Sequence, residues 1–226
     1  MRNIIEHPNR SKKIVLLLNN GGSSAYFTPL LEKMIFACKR QMNNCFEIKT
    51  ISLFDHIDHI VDRSVDTIVA IIISGSSIID LKDICEKGEA TSWNINIINM
   101  FPNATVFGIC YGMQVLASMH GGLIANRDFG FRKKDIILHH RPGVSIQNVF
   151  DNIPTTYQMH VSHCHHVIKT PSIYTVFQVD ENDDNMAMIS NLNGRMFIGV
   201  QYHIEAPSSQ PIGMQMLKSV IQYAIM

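Results

Sequence analysis

Apolar residues in this chain fall first into short unbroken runs and then, past residue 122, into alternation with polar ones. Residues 14–18 (Ile-Val-Leu-Leu-Leu) and 68–73 (Ile-Val-Ala-Ile-Ile-Ile) are apolar throughout. They end in the polar loops Asn19-Asn-Gly-Gly-Ser-Ser24 and Ser74-Gly-Ser-Ser77. Such runs suit parallel strands covered on both faces. Residues 46–53 read as a strand by alternation and residues 104–109 as another buried strand. Leu30, Leu31, Met34, Ile35 and Ala37 recur at helical spacing within 29–38, and residues 80–87 and 92–100 read as short helices. This alternation of strand, loop and helix predicts a parallel sheet with right-handed crossovers, whose ligands bind beyond the carboxyl ends of the strands. After Gly121-Gly122 come shorter alternating segments at 135–139, 157–163, 174–179, 186–190 and 197–203, with Asn193-Gly194 as a hairpin turn and a closing helix over 214–225. The predicted fold is therefore α/β: a mostly parallel central sheet with helices on both faces, plus a smaller antiparallel sheet in the C-terminal half. Without a linker, low-complexity run or internal repeat, residues 1–226 read as one domain with 1–12 as a flexible N-terminus.

Composition narrows the class of function. Apolar residues make up 46% of the chain and charged ones 17%, the latter below the usual value of about 25%, which suits a well-buried core. Nineteen basic and nineteen acidic residues cancel, and no block of like charge points to nucleic acid or an anionic membrane surface. The five cysteines, at 38, 45, 85, 110 and 164, are scattered and form no C-x-x-C pair, as in a reducing compartment. The N-terminus lacks the apolar core of a secretory signal, and the longest apolar runs are strand-sized. A soluble, cytoplasmic protein acting on a small ligand is the expectation.

The chemistry centres on Val106-Phe-Gly-Ile-Cys-Tyr-Gly-Met-Gln-Val-Leu116, where a buried strand gives way to a helix carrying Met113, Leu116 and Met119 on its apolar side. Cys110 stands at the corner between Gly108 and Gly112, with the spacing of the G-x-S-x-G elbow. A thiolate there faces the helix N-terminus, which favours the anion. Taken alone, the same residues also fit a buried structural cysteine in a tight turn. A nucleophile needs a base and the base an orienting acceptor. In Gly199-Val-Gln-Tyr-His-Ile-Glu205 the alternation brings His203 and Glu205 to one side of an extended segment.

These two stretches resemble the signatures G-x-C-x-G-x-Q and G-V-Q-F-H-P-E of the class I glutamine amidotransferases, a family with a flavodoxin-like α/β fold. Ile73-Ser-Gly-Ser76 resembles the family's S-G-G-P strand, Gly121-Gly122 its G-G, Arg127-Asp-Phe-Gly130 its R-E-Y-G and Val161-Ser-His163 the start of S-H-G-D. This order and these intervals are similar to the glutaminase domain of GMP synthetases. The resemblance implies a triad of Cys110, His203 and Glu205, with the oxyanion held by the backbone at Tyr111 and at Gly75-Ser76. It further implies that Gln114 helps to form the glutamine pocket and that the backbone near Ser162 and His163 receives the amino-acid end. No cofactor is implied. The implied activity is glutamine hydrolysis to glutamate and ammonia, supplied to an ATP-dependent synthetase in trans.

This sequence also departs from the family pattern. Ser76 and Ser77 replace the second glycine and the proline of S-G-G-P, Ile204 replaces the proline of H-P-E, and His165 stands at the aspartate of S-H-G-D. Two other readings therefore stay open: the same thiol chemistry on a different γ-glutamyl compound, and a glutamine-binding regulatory protein with weak activity. In His160-Val-Ser-His-Cys-His-His166, His163 and His165 are expected on one strand face. Such spacing can bind zinc, but a histidine-rich strand end without metal is the plainer reading.

Overall fold

The computed structural model describes residues 12–21, 27–62, 66–126, 132–141, 143–144, 149–150 and 153–226, and only the backbone of residues 132 and 133. The Arg127-Asp-Phe-Gly130 stretch and the end of the first loop, 22–24, lie outside these residues. So does the expected flexible N-terminus, apart from Lys12, which opens the first strand.

The chain order is β1 (Lys12–Asn19), α1 (Phe27–Gln41), β2 (Glu47–Ser52), β3 (Asp66–Ile73), α2 (Leu81–Glu86), α3 (Glu89–Met100), β4 (Thr105–Ile109) and α4 (Tyr111–Met119). It continues through β5 (Leu123–Asn126), β6 (Arg132–His140), β7 (Thr156–His163), β8 (His165–Lys169), β9 (Thr175–Asp180), β10 (Asn185–Leu192), β11 (Arg195–Val200) and α5 (Ile212–Ile225). Nine strands form one sheet in the order β2-β1-β3-β4-β11-β10-β9-β6-β7. The first five are parallel. The strands β10, β9, β6 and β7 continue the sheet by antiparallel pairing, so most of the alternating C-terminal segments extend the central sheet. The small antiparallel sheet is β5 with β8.

The unbroken apolar runs have the predicted cause. Along β1, Val15 and Leu17 pack on one face with Met34 and Ile35 of α1 and Leu217 and Val220 of α5. Ile14, Leu16 and Leu18 pack on the other face with Ile97 and Ile98 of α3 and Val115 and Leu116 of α4. Both faces are covered, so every side chain of the run is apolar. Each such burial contributes about 1.5–3 kcal/mol.

Polar contacts then fix the helices that carry the site. Asp80 caps α2 by accepting from the Asp83 amide at 2.8 Å. The Asp83 carboxylate accepts from the amides of Ala90 and Thr91 at 3.1 and 2.9 Å, and so holds the start of α3. At the other end of α3, Arg195 of β11 donates to the carbonyls of Ile98, Phe101 and Ala104, each at 2.9 Å. Its guanidinium also lies 4.7 Å from the centre of the Phe197 ring. No helix among the described residues is long and apolar enough to cross a membrane.

Candidate functional site

Parallel pairing places the ends of β3, β4 and β11 side by side. Ile73 is level with Gly108, and Gly108 with Gly199. Just beyond, the Cys110 amide donates to the Val200 carbonyl at 2.7 Å. Cys110 precedes the first residue of α4 with φ 53° and ψ −104°, a conformation that costs a non-glycine residue roughly 1–3 kcal/mol. The elbow glycines make the turn sterically possible. A β-carbon on Gly108 would lie 2.4 Å from the Gly112 backbone, and one on Gly112 would lie 2.5 Å from the Ile73 carbonyl oxygen. The sequence expectation of a strand-to-helix corner with Cys110 at its apex therefore agrees with the geometry. Tyr111 opens α4, where a helix has no carbonyl of its own for the amide to bond. Its hydroxyl lies 3.1 Å from the Thr91 hydroxyl, which ties the elbow to α3.

His203 and Glu205 lie past the end of β11, which stops at Val200, rather than on the strand predicted over 197–203. The backbone of His203 instead pairs with His160 of β7, the His203 amide donating to the His160 carbonyl at 2.8 Å. His203 Nδ1 lies 2.7 Å from Glu205 Oε1, with both side chains buried. A ring bonded to a carboxylate through Nδ1–H turns Nε2 to the other side. Burial alone would lower the affinity of this ring for a proton. The Glu205 carboxylate and the Cys110 sulfur together outweigh that effect and raise its pKa to about 10. The second carboxylate oxygen, Oε2, is buried without a hydrogen-bond partner among the described residues.

Gly75 explains how closely the parts approach. A β-carbon there would meet His203 Cε1 at 3.0 Å and the Cys110 β-carbon at 3.4 Å. Ser76, by contrast, does not take a positive φ, so its side chain adds no left-handed strain to the observed loop. Its hydroxyl donates to the Asn20 carbonyl at 3.0 Å, and the Asn20 amide donates to Ser74 Oγ at 2.9 Å. The two polar loops of the sequence are thus tied together. Asn20 and Asn94 of α3 exchange side-chain amide bonds at 3.1 and 2.8 Å.

Two cavities open at Cys110 and His203. The larger, about 360 Å³, is lined by Cys110, Tyr111, Gln114, Ser162, His163 and His165, among others. The smaller, about 150 Å³, is lined by Phe27, Thr28, Ser74, Gly75, His203 and Glu205, among others. Ser76, Ser77 and Ser162 border both. Every site residue singled out from the sequence therefore lies on one or other wall.

Gln114 is buried and donates to the His165 carbonyl at 2.9 Å and to Gln201 Oε1 at 3.4 Å. Gln201 in turn donates to Cys110 Sγ at 3.8 Å, and the Ser162 carbonyl accepts from the same sulfur at 3.8 Å. Gln201 and Phe27 were not expected in the site. Gln201 stands inside the Gly199–Glu205 motif, which was a usable signal. Phe27 lies flat on His203, with ring centroids 4.1 Å apart and planes 20° apart, and its ring centre is 5.9 Å from that of His160. Nothing in its local sequence announces this.

The histidine cluster also departs from expectation. His163 ends β7 and His165 begins β8, which belongs to the other sheet, so the two do not share a strand face. The chain turns at Cys164 between them, and His163 Nδ1 is 2.9 Å from the His165 carbonyl. Burial lowers the pKa of the His165 ring, with Asp80 acting in the opposite sense. Among the described residues no group of three or more His, Cys, Asp or Glu converges as a metal site.

The family model for class-I glutamine amidotransferase matches residues 36–222. A glutamine-hydrolysing GMP synthase of Fusobacterium nucleatum is 31% identical over 120 residues, covering 53% of this chain and 22% of that protein. The matched part is thus about a fifth of that relative's length. Two crystal structures share the fold. One is a protein of Thermoplasma acidophilum proposed to be part of a GMP synthase, with TM-score 0.72, 16% identity and 96% of each chain covered. The other is a glutamine amidotransferase of Thermotoga maritima, with TM-score 0.71, 14% identity and coverage of 96% of this chain and 99% of that one.

Proposed function

The chain belongs to the class-I glutamine amidotransferase family, and from that premise we propose that it hydrolyses the side-chain amide of glutamine through a thioester on Cys110. The observation that carries this reading is the buried 2.7 Å His203–Glu205 bond beside a cysteine at the apex of a strained elbow. The substrate's amino-acid part occupies the larger cavity, against Gln114 and the backbone of Ser162 and His163. Cys110 Sγ adds to the side-chain carbonyl carbon, and the negative oxygen is held by the Tyr111 amide and an amide of the Gly75-Ser76 turn. Each such donor is worth about 3 kcal/mol of barrier. His203 holds the proton given up by Cys110 and passes it to the departing nitrogen, and ammonia leaves. Water then loses a proton to His203 and cleaves the thioester, releasing glutamate and restoring the thiol. Glu205 fixes the ring and balances its charge.

The proposal takes residues 1–226 as one cytoplasmic amidotransferase domain that passes ammonia to an ATP-dependent synthetase in trans. The named relatives, a GMP synthase and a protein proposed to be part of one, support that kind of partner. The test is glutamate release from glutamine by the purified protein and by Cys110→Ala. A covalent γ-glutamyl adduct on Cys110 and loss of at least a thousandfold in the variant are expected, and equal rates in both would end the proposal. Co-purification with an ATP-dependent ligase tests the partner.

A further inference from the structure

The two cavities divide the reacting groups unequally. Cys110 borders only the larger one, whereas His203 and Glu205 border only the smaller. The acyl carbon must touch Cys110, and the departing nitrogen must face the ring that protonates it. The acyl half of a substrate therefore belongs in the larger cavity, and anything attached to the nitrogen extends into the smaller one. Ammonia, similar in size to water, needs only about 10–15 Å³ of cavity. The space beside His203 is about 150 Å³, and a cavity of roughly that volume holds a benzene ring.

The walls of this second space also restrict what enters it. The Phe27 ring forms an apolar side, the hydroxyls of Thr28, Ser74 and Ser77 form a weakly polar one, and among the described lining residues the one carboxylate is that of Glu205. No Lys or Arg is among the described lining residues. The lining favours neutral alkyl substituents and disfavours one bearing a carboxylate.

We propose that the cavity beside His203 and Phe27 is a leaving-amine subsite, and that the enzyme cleaves N-alkyl γ-glutamyl amides as well as glutamine. The inference rests on the thioester mechanism above and extends it to the leaving group. Cys110 Sγ forms a bond to the γ-carbonyl carbon, the C–N bond breaks, and the His203 proton goes to the nitrogen, which leaves as RNH₂. Water then adds to the thioester, giving glutamate and the free thiol. The sum is γ-glutamyl-NHR plus water to glutamate plus amine.

The experiment compares kcat/KM for glutamine, γ-glutamylethylamide, γ-glutamylbutylamide and γ-glutamylglycine with the purified chain, reading both glutamate and amine. The alkylamides are expected to reach at least one tenth of the glutamine value, and γ-glutamylglycine to fall at least tenfold below the ethylamide. Alkylamides below one tenth of glutamine, or γ-glutamylglycine level with the ethylamide, would overturn the subsite. Thr28→Leu should lower the butylamide-to-glutamine ratio at least threefold relative to Thr28→Val, which keeps the space but removes the hydroxyl. An unchanged ratio counts against the assignment. Labelling of Cys110 by glutamine alone removes the subsite and keeps the glutaminase, whereas no γ-glutamyl adduct from any compound removes both.

Discussion

Phe27 covers one face of the His203 ring at 4.1 Å, and an aromatic face over a protonated ring favours the charged form by roughly 0.5–2 kcal/mol. At 1.36 kcal/mol per unit, Phe27→Leu should lower the alkaline limb of the pH–rate profile by roughly 0.4–1.5 units, and Phe27→Tyr should restore it. An unmoved limb would show that the stack only fills space. Gly75→Ala brings a methyl group to 3.0 Å from His203 Cε1. The ring must give by a few tenths of an ångström, less than the 1 Å misplacement that costs about a hundredfold, so glutamate release should fall roughly tenfold while the melting curve changes little. The placement of Cys110, His203 and Glu205 in one site was legible because they stand in contiguous motifs with diagnostic spacing. Phe27 was not, since its role exists only where the start of α1 meets a loop from the far end of the chain.

At the scale of elements, the covered strands β1, β3 and β4 were legible because burial on both faces leaves an unbroken apolar run. The strands β5 and β8 were not. They are four and five residues long, and their pairing is set by the turn at Cys164 rather than by any alternation of their own. The end of β11 was misplaced for a related reason: apolar residues continue through Tyr202 and Ile204, yet the backbone leaves the sheet at Val200 to reach β7. The helix ends depend on single charged residues. Arg195 gathers three carbonyls from the end of α3 and the approach to β4, and each charge-assisted bond contributes about 1.5–3 kcal/mol. Allowing for water entering the gap, Arg195→Ala should cost about 3 kcal/mol. At about 2–4 °C per kcal/mol for a chain of this size, the melting temperature should fall by about 6–12 °C. Calorimetry checks this, and a shift under 2 °C would mean that the carbonyls find other donors.

For the whole molecule, His203 links folding to pH. Its proton is held to about pH 10 in the fold against an ordinary 6.5, so the fold gains from that proton. The gain is complete below about pH 6.5, shrinks as pH rises and is gone above about pH 10. Urea midpoints should therefore decline across that window, and Glu205→Gln should flatten the decline. A wild-type midpoint constant from pH 6.5 to 10 would contradict the coupling. The sheet order adds a consequence in time. β11 lies between β4 and β10, so the final strand must enter the middle of the sheet, pairing with a segment about ninety residues earlier, and contacts so distant in sequence form slowly. Until it does, Cys110 lacks His203 beside it. On the proposed mechanism, a chain in which β11 has not yet entered the sheet thus carries an unarmed thiol.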